Sequence, residues 1–588
     1  MSVLSKRAIM KPVLFVLMFL IFLLKVGYIN AQSGWQWGIT NTNQESRAIV
    51  YQSIADKWGN GAWASGIMYG DSLVFGSQIS YNTDHMLQIF IARADSSGNF
   101  LWSFSTQHSY SWPVGLIADS SGNLFFLGEY SSDSCSVGPY MLRNPWAEAV
   151  YFMAKISPSG SVLWARTITP GLFSGTGPLQ TNTGGIGLDA TGNIYVAGGF
   201  SLPLAVIGPD TLVNTTTIGH NTDLFVAKYD TAGNAIWARK FGGADSDWPD
   251  NMVVSPRGNL YVFGNIASHY MTIGTTPYID STTSYSAPQK FLTKIDNSGN
   301  VVWANGLNKH SYVYKMILDT EEDIYMACAT DTDLVIGSDV VTSLGGSDAF
   351  LAKYSSTGTA IWTRTASGTS TDYGYCLSLD HCGYIWFGVG NGATAGPLPG
   401  YAISFSGHTI TAPTTAIDPL FLAKYDTLGN YQEGMAIASC GDNYGNSINV
   451  DTKGNFILCS DYKTGLRIGP DTLLAAGGNS ELLIARYNYQ SIVCPPDIPL
   501  AESKQASAGK EFAIFPNPAR IGQELHINDD LPLGSFIEIY SVTGKLMIQS
   551  KIGNVVNISL VGFNAGVYYC KIYINGIQTM IEKLIIQA

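Results

Sequence analysis

The sequence predicts an all-β fold: a seven-bladed β-propeller closed by an N-terminal strand and followed by a small Ig-like β-sandwich. Three observations lead there. The 588 residues are 46% hydrophobic and 13% charged, with 63 Gly and 13 Trp. Globular domains carry roughly 25% charge, so this balance favours short strands joined by tight turns over long helices. Two hairpin motifs alternate along most of the chain. The last repeat lacks one strand, and an orphan copy of that strand stands near the N-terminus.

Residues 1–31 read as a signal peptide. Lys6, Arg7 and Lys11 precede the apolar run VLFVLMFLIFLL (13–24), and Ala31 is a small residue at a cleavage point. A retained anchor is the competing reading, but twelve apolar residues fall short of the ~20 that a span needs. No second run of spanning length follows, so no membrane span is expected in the mature chain. Residues 32–493 are assigned to the propeller.

The first motif reads FVAKYDTAGNAIWAR at 225–239, with relatives at 90–103, 152–166, 291–305, 350–364, 421–430 and 483–490. Its leading positions, Phe90, Phe152, Phe225, Phe291, Phe350, Phe421 and Leu483, are spaced 62, 73, 66, 59, 71 and 62 residues apart. The second motif, such as GLDATGNIYVAGGF at 187–200, recurs at 116–130, 252–265, 316–329, 377–390 and 448–461. A degenerate copy, GIMYGDSLVFGSQ, is read at 66–78. Both alternate with period two around a D-x-x-G-N turn, complete at Asp95, Asp119, Asp189, Asp230, Asp296, Asp426 and Asp451. The Asp accepts backbone N–H groups and the Gly supplies a positive φ. Two hairpins per unit make four strands, and four-stranded units repeated radially make a propeller. The seventh unit ends near residue 490 without its W-A-R strand. GWQWGIT (34–40) resembles it, with Trp37 in the place of Trp237. Residues 34–40 are therefore expected to complete blade 7 and remove an exposed edge.

Residues 494–511 are rich in Pro, Ser and Ala and read as a linker. Residues 512–588 carry short alternating strands fitting a sandwich. All eight cysteines follow the signal and show no metal-ligand spacing; Cys376 and Cys382 are close enough in sequence for a local bridge.

The F-[VL]-A-K-Y-D-x-x-G-N-x-x-W-A-R pattern resembles the bacterial beta-propeller repeat family over roughly residues 34–490, which implies fold and a secreted or surface location. The tail resembles the type A C-terminal sorting domain of type IX secretion. Matching residues are Phe515, Pro516, Asn517 and Pro518, then Tyr540, Gly544, Lys545, Leu560, Gly566, Val567, Tyr568, Lys583 and Leu584. That resemblance implies the type IX machinery as partner and release or anchoring outside the outer membrane. The alternative is an Ig-like domain that stays attached.

Chemistry is sparse. There is no H-E-x-x-H, G-x-S-x-G, Walker loop or dinucleotide fingerprint, and the eight His are scattered. A net charge of −12 and no basic run disfavour nucleic acid. No cofactor and no metal are expected. Calcium at the D-x-x-G-N turns is the alternative, but each turn offers one carboxylate where Ca²⁺ takes about six to eight oxygens. Topology directs attention elsewhere. With strands A to D running outward, every D-x-x-G-N turn lies on one face, and the other carries the variable segments 129–150, 200–223, 265–289, 329–348, 389–419 and 460–480. Variable loops on a rigid scaffold are where binding is placed. Seven residues before the inner-strand turn stand Trp112, Trp248, Tyr312, Tyr373 and Tyr444; the first-blade equivalent is read near Trp63. These aromatics are expected at the mouth of the central channel, as platforms for a glycan or surface-protein ligand or as wedges between blades. The expected function is non-catalytic binding or adhesion outside the cell. A polysaccharide-degrading enzyme and a purely structural matrix protein are the alternatives.

Overall fold

The computed structural model describes the chain from Trp35 to Asn488 except residues 41–46, 57–59, 146–148, 173–184, 216–220, 280–287, 345, 381, 392–399, 413–418, 438–446, 452–454, 463–464, 469–470 and 475–480, and most strands of the tail from 514 to 587. The expected signal peptide and linker lie outside the described residues. The chain divides into two compact units, Met1–Gln490 and Ser491–Ala588.

The first unit is a seven-bladed β-propeller. Each blade is an antiparallel sheet whose strands A to D follow one another outward; blade 4, for example, is Asp247–Val254, Leu260–Ile266, Gln289–Ile295 and Val301–Leu307. The other A strands are Arg47–Ala55, Ser111–Ala118, Ile186–Leu188, Tyr312–Leu318, Asp372–Leu379 and Ser447–Val450. Each A strand touches the next around the ring, and Ser447–Val450 touches Arg47–Ala55. Trp35–Thr40 pairs antiparallel with Glu481–Asn488. Trp37 lies opposite Arg486, as Trp237 lies opposite Lys228 in blade 3.

The core is seven cores rather than one, because flat sheets bury area only against their neighbours. One apolar cluster fills each junction between adjacent blades, such as Tyr195, Val226, Met252 and Val262 between blades 3 and 4. The repeated motif supplies the polar fastening. In the 230–234 turn, Asp230 Oδ1 accepts the N–H groups of Ala232 (2.9 Å) and Asn234 (2.8 Å), while Asn234 Nδ2 donates to Oδ2 at 2.9 Å. Gly233 adopts φ +77°, where a Cβ would meet the Trp164 ring of the preceding blade at 3.0 Å. Four motif Trp residues then reach forward: the Nε1 of Trp102, Trp237, Trp303 and Trp362 donates to a turn carbonyl of the next blade at 3.0, 3.0, 3.1 and 3.3 Å. The strand-C cation of all seven blades faces a carboxylate. Examples are Lys353 with Asp323 at 2.9 Å and Arg486 with Asp451 at 2.8 Å. In the first six blades it also lies over a strand-B ring, as Lys353 lies 4.9 Å from Tyr325.

Three expectations are corrected. Blade 1 makes its A–B turn at Asp56–Asn60, an intact D-x-x-G-N, between Arg47–Ala55 and Gly61–Tyr69. Trp63 is therefore not the channel-mouth aromatic but the buried strand-B ring under Arg93, and the equivalent mouth position is Ile49. GDSLVFGSQ instead belongs to a B–C hairpin, Ser72–Phe75 with Gln78–Tyr81. Such a hairpin recurs in every blade, so the segments read as variable share one regular element. Its tip folds back on the outer strand: Asp210 Oδ2 accepts Ala238 N–H at 2.8 Å and Asp339 Oδ2 accepts Thr363 N–H at 2.7 Å. Finally, Cys376 is a buried free thiol whereas Cys382 is disulfide-bonded, so these two do not bridge each other.

The tail unit has a three-stranded and a five-stranded sheet. Leu525, Ile539, Ile558, Tyr568, Cys570 and Leu584 from both sheets share one core. Phe515, Gly566, Val567 and Lys583 lie on strands, while Pro516, Asn517, Pro518, Gly544 and Lys545 lie outside the described residues. Among the described residues no helix is long and apolar enough to cross a membrane.

Candidate functional site at the channel mouth

Strand A carries a device that periodicity does not reveal. Five A strands slip register at the same point, at Tyr51, Val114, Asp250, Tyr314 and Tyr375. Each lies five residues before the A–B turn. A bulge inserts one residue and re-aims its side chain, so this position, two beyond the aromatic read from sequence, leaves the regular alternation of the innermost strands.

Four of the five aromatics lie where expected, at the start of strand A: Trp112, Trp248, Tyr312 and Tyr373. Tyr444 falls outside the described residues. They do not form a uniform ring. Trp112 stands alone in blade 2, paired across the sheet with Glu129. Glu129 is half-buried, and burial raises its carboxyl to about 7. The other three gather in blades 4 to 6 with the bulge residues. Tyr314 of blade 5 lies 5.5 Å from Tyr373 and 5.4 Å from Tyr375 of blade 6, and those two lie 5.7 Å apart. Tyr312 is 40% exposed and has Lys290 of blade 4 positioned 5.4 Å from its ring centre.

A polar network underlies the rings. Lys290 Nζ donates to Asn265 Oδ1, its cross-strand neighbour, which in turn pairs across with Trp248. Burial raises the Asp250 carboxyl, while Lys290 and hydrogen bonds from Asn265 and Trp248 work against that rise. Burial lowers Lys290, and Asp250 pulls it back up. Each favours the charged form of the other. Lys315, next to the slip residue of blade 5, is lowered by burial; its electrostatic neighbour is Cys376, a thiol that burial raises to about 12. Crowding by protein combined with residual solvent access describes Glu129, Asp250, Tyr314 and Lys315 alike, as expected for walls of a narrow channel.

The arrangement offers flat rings, hydroxyls and one neutralised ion pair. Among the described residues no group of three or more His, Cys, Asp or Glu could hold a metal ion. The turn carboxylates are occupied by N–H donors: burial works against ionisation, but the donors of Asn99, Asn193, Asn234 and Asn300 and their turns hold Asp95, Asp189, Asp230 and Asp296 below the usual range.

A second cavity of about 250 Å³ opens at the opposite, turn-bearing face between blades 7, 1 and 2, lined by Ile54, Trp63, Ile117, Ala118, Asn449 and Val450.

Residues 513–587 match the family of secretion system C-terminal sorting domains. An uncharacterized WD repeat-containing protein of Acanthamoeba polyphaga mimivirus is 19% identical over 442 residues, covering 64% of this chain and 31% of that protein. The regulatory protein FlaEY of Caulobacter vibrioides is 25% identical over 171 residues, covering 29% of this chain and 17% of its own length. The chain thus spans less than a third of the curated relatives it matches. Among solved structures, a quinohemoprotein alcohol dehydrogenase from Comamonas testosteroni shares 9% identity over 77% of this chain and 76% of that one, with a TM-score of 0.31. The sorting domain implies secretion to, or association with, the outer membrane and handling by the type IX machinery.

Proposed function

We propose that this chain is an exported, non-catalytic binding or adhesion protein whose propeller holds a glycan at the channel mouth of blades 4 to 6. A signal at residues 1–31 starts export, and the domain at 512–588 completes it. The pairing of Trp35–Thr40 with Glu481–Asn488 supports a clasp that joins the first and last blades of a rigid scaffold. One observation carries the binding reading: Tyr312, Tyr314, Tyr373 and Tyr375 converge from two blades beside the Asp250–Lys290 pair. Sugar rings present apolar faces to aromatic planes and hydroxyls to polar neighbours, and this wall offers both. Wedging alone accounts for Tyr314 but leaves the 40% exposure of Tyr312 unused.

The test is retention of the secreted full chain on a glycan and matrix array, followed by the double variant Tyr312→Ala/Tyr373→Ala. With about 1 kcal/mol per aromatic contact, binding is expected to weaken roughly 10- to 30-fold while the melting temperature stays within a few degrees. A blank array, or a large loss of stability with unchanged retention, defeats this reading. Release of new reducing ends from a retained polysaccharide makes the chain an enzyme instead.

A further inference from the structure

Lys315 differs from the strand-C cations and from Lys290. The strand-C cation of each blade has a carboxylate within 4 Å, and Lys290 has Asp250 and Asn265. Lys315 is half-buried on the inner strand of blade 5, and no acceptor or carboxylate partners it among the described residues. Its one electrostatic neighbour, the Cys376 thiol, stays protonated and neutral at physiological pH. An ammonium removed from water without a counter-charge is costly to keep. An anion supplied from outside would offset that cost.

Two further observations locate that anion. Lys315 follows Tyr314, and Cys376 follows Tyr375, so the cation lies beside the tyrosine cluster. Asn251, which occupies in blade 4 the place of Lys315 in blade 5, is 2% exposed, and neither its amide oxygen nor its amide nitrogen has a partner. Two polar side chains at equivalent positions of neighbouring blades thus lack partners among the described residues, and Lys315 is the one whose blade carries the platforms.

Resting on the glycan reading above, we propose that the ligand is an acidic saccharide, its carboxylate or sulfate neutralised by Lys315 and its ring laid on Tyr373 and Tyr375. The net charge of −12 opposes approach of an anion. Charges on the outer surface are screened beyond about 8 Å at physiological ionic strength, however, whereas a cation in a crowded channel is screened far less. The local charge therefore decides the preference, and the global charge only slows the encounter.

Calorimetry on the secreted full chain tests this with three tetramers: an oligogalacturonate, its fully methyl-esterified form, and a sulfated galactan. The free acid, the sulfate ester or both should bind at least tenfold tighter than the methyl ester, and which of them does so identifies the anion. Lys315→Met should reduce the preference to under twofold and melt no lower than the parent, while Lys315→Arg keeps the preference. Lys315→Gln carries the same comparison should the Met variant fail to fold. Charge-indifferent binding, or a preference that survives Lys315→Met, overturns this inference alone. Absence of binding to any of the array's glycans and these tetramers overturns the glycan reading and this one together.

Discussion

At the residue scale, the repeated Lys shows how position sets the value of a charge. Lys353 is 8% exposed, lies between Asp319 and Asp323 and covers Tyr325. Lys353→Met leaves two carboxylates facing an apolar side chain, so it is expected to cost about 3–5 kcal/mol, the range for breaking a buried pair from one side. Arg257→Met removes an ion pair of 3.8 Å in which the arginine is 75% exposed, and solvent screening limits its effect to under about 1 kcal/mol. Urea unfolding of both variants checks the contrast; equal effects would show that burial does not set the difference. The motif Lys was legible as a recurring letter, but not its reason, because the rings and carboxylates it serves come from other strands. Glu322 makes the same point. It sits at φ +64° where other blades have Gly, and its carboxylate accepts from Asn259, Tyr261 and Lys294 of the preceding blade. Those bonds between blades compensate a strained backbone.

At the element scale, hairpins written in sequence and hairpins found agree wherever the D-x-x-G-N turn is intact. The exception is blade 1, where GDSLVFGSQ imitates the inner hairpin although Asp56–Asn60 joins strands A and B. The B–C hairpins escaped notice because their sequences diverge while their backbone does not: Gly76, Gly138, Gly208 and Gly337 share a φ of about +60° at the first turn position. The N-terminal strand offers a direct test. Removing residues 34–40 leaves the edge of Glu481–Asn488 unpaired. The truncated chain should melt lower and self-associate through that edge, seen as higher-mass species in size-exclusion chromatography. A truncated monomer of unchanged melting temperature would assign that strand no part in holding the ring.

At the scale of the whole molecule, two classes of carboxyl oppose each other as pH changes. Burial raises Glu129 to about 7, Asp372 to about 7 and Asp247 to about 6. Their unfolded values are near 4, so between about pH 4 and 7 the folded state binds more protons and stability rises as pH falls. The turn Asp residues are lowered instead, and their contribution is lost as pH falls through their folded values. The melting temperature should therefore climb from about pH 8 to about 5 and decline in stronger acid. Asp372→Asn, whose amide oxygen in the Oδ2 position still accepts Gly368 N–H and the Tyr401 hydroxyl, should flatten the upper part of the climb. A melting temperature that rises steadily from pH 5 to 8 would contradict the assignment of these buried acids.

The sequence by itself determined the strands, the turn chemistry, the number of blades and the nature of the tail, because each rests on neighbours within one hairpin or on a period that recurs. Tertiary structure decided which aromatics come together. A bulge is an extra residue relative to a partner strand, so no single strand announces it. Whether a ring is a platform or a wedge depends on the blade beside it. Tyr312 and Tyr373 were found by their spacing from the turn, whereas Tyr314, Tyr375, Asp250 and Lys315 were not, because only the closing of seven sheets around an axis brings them to one mouth.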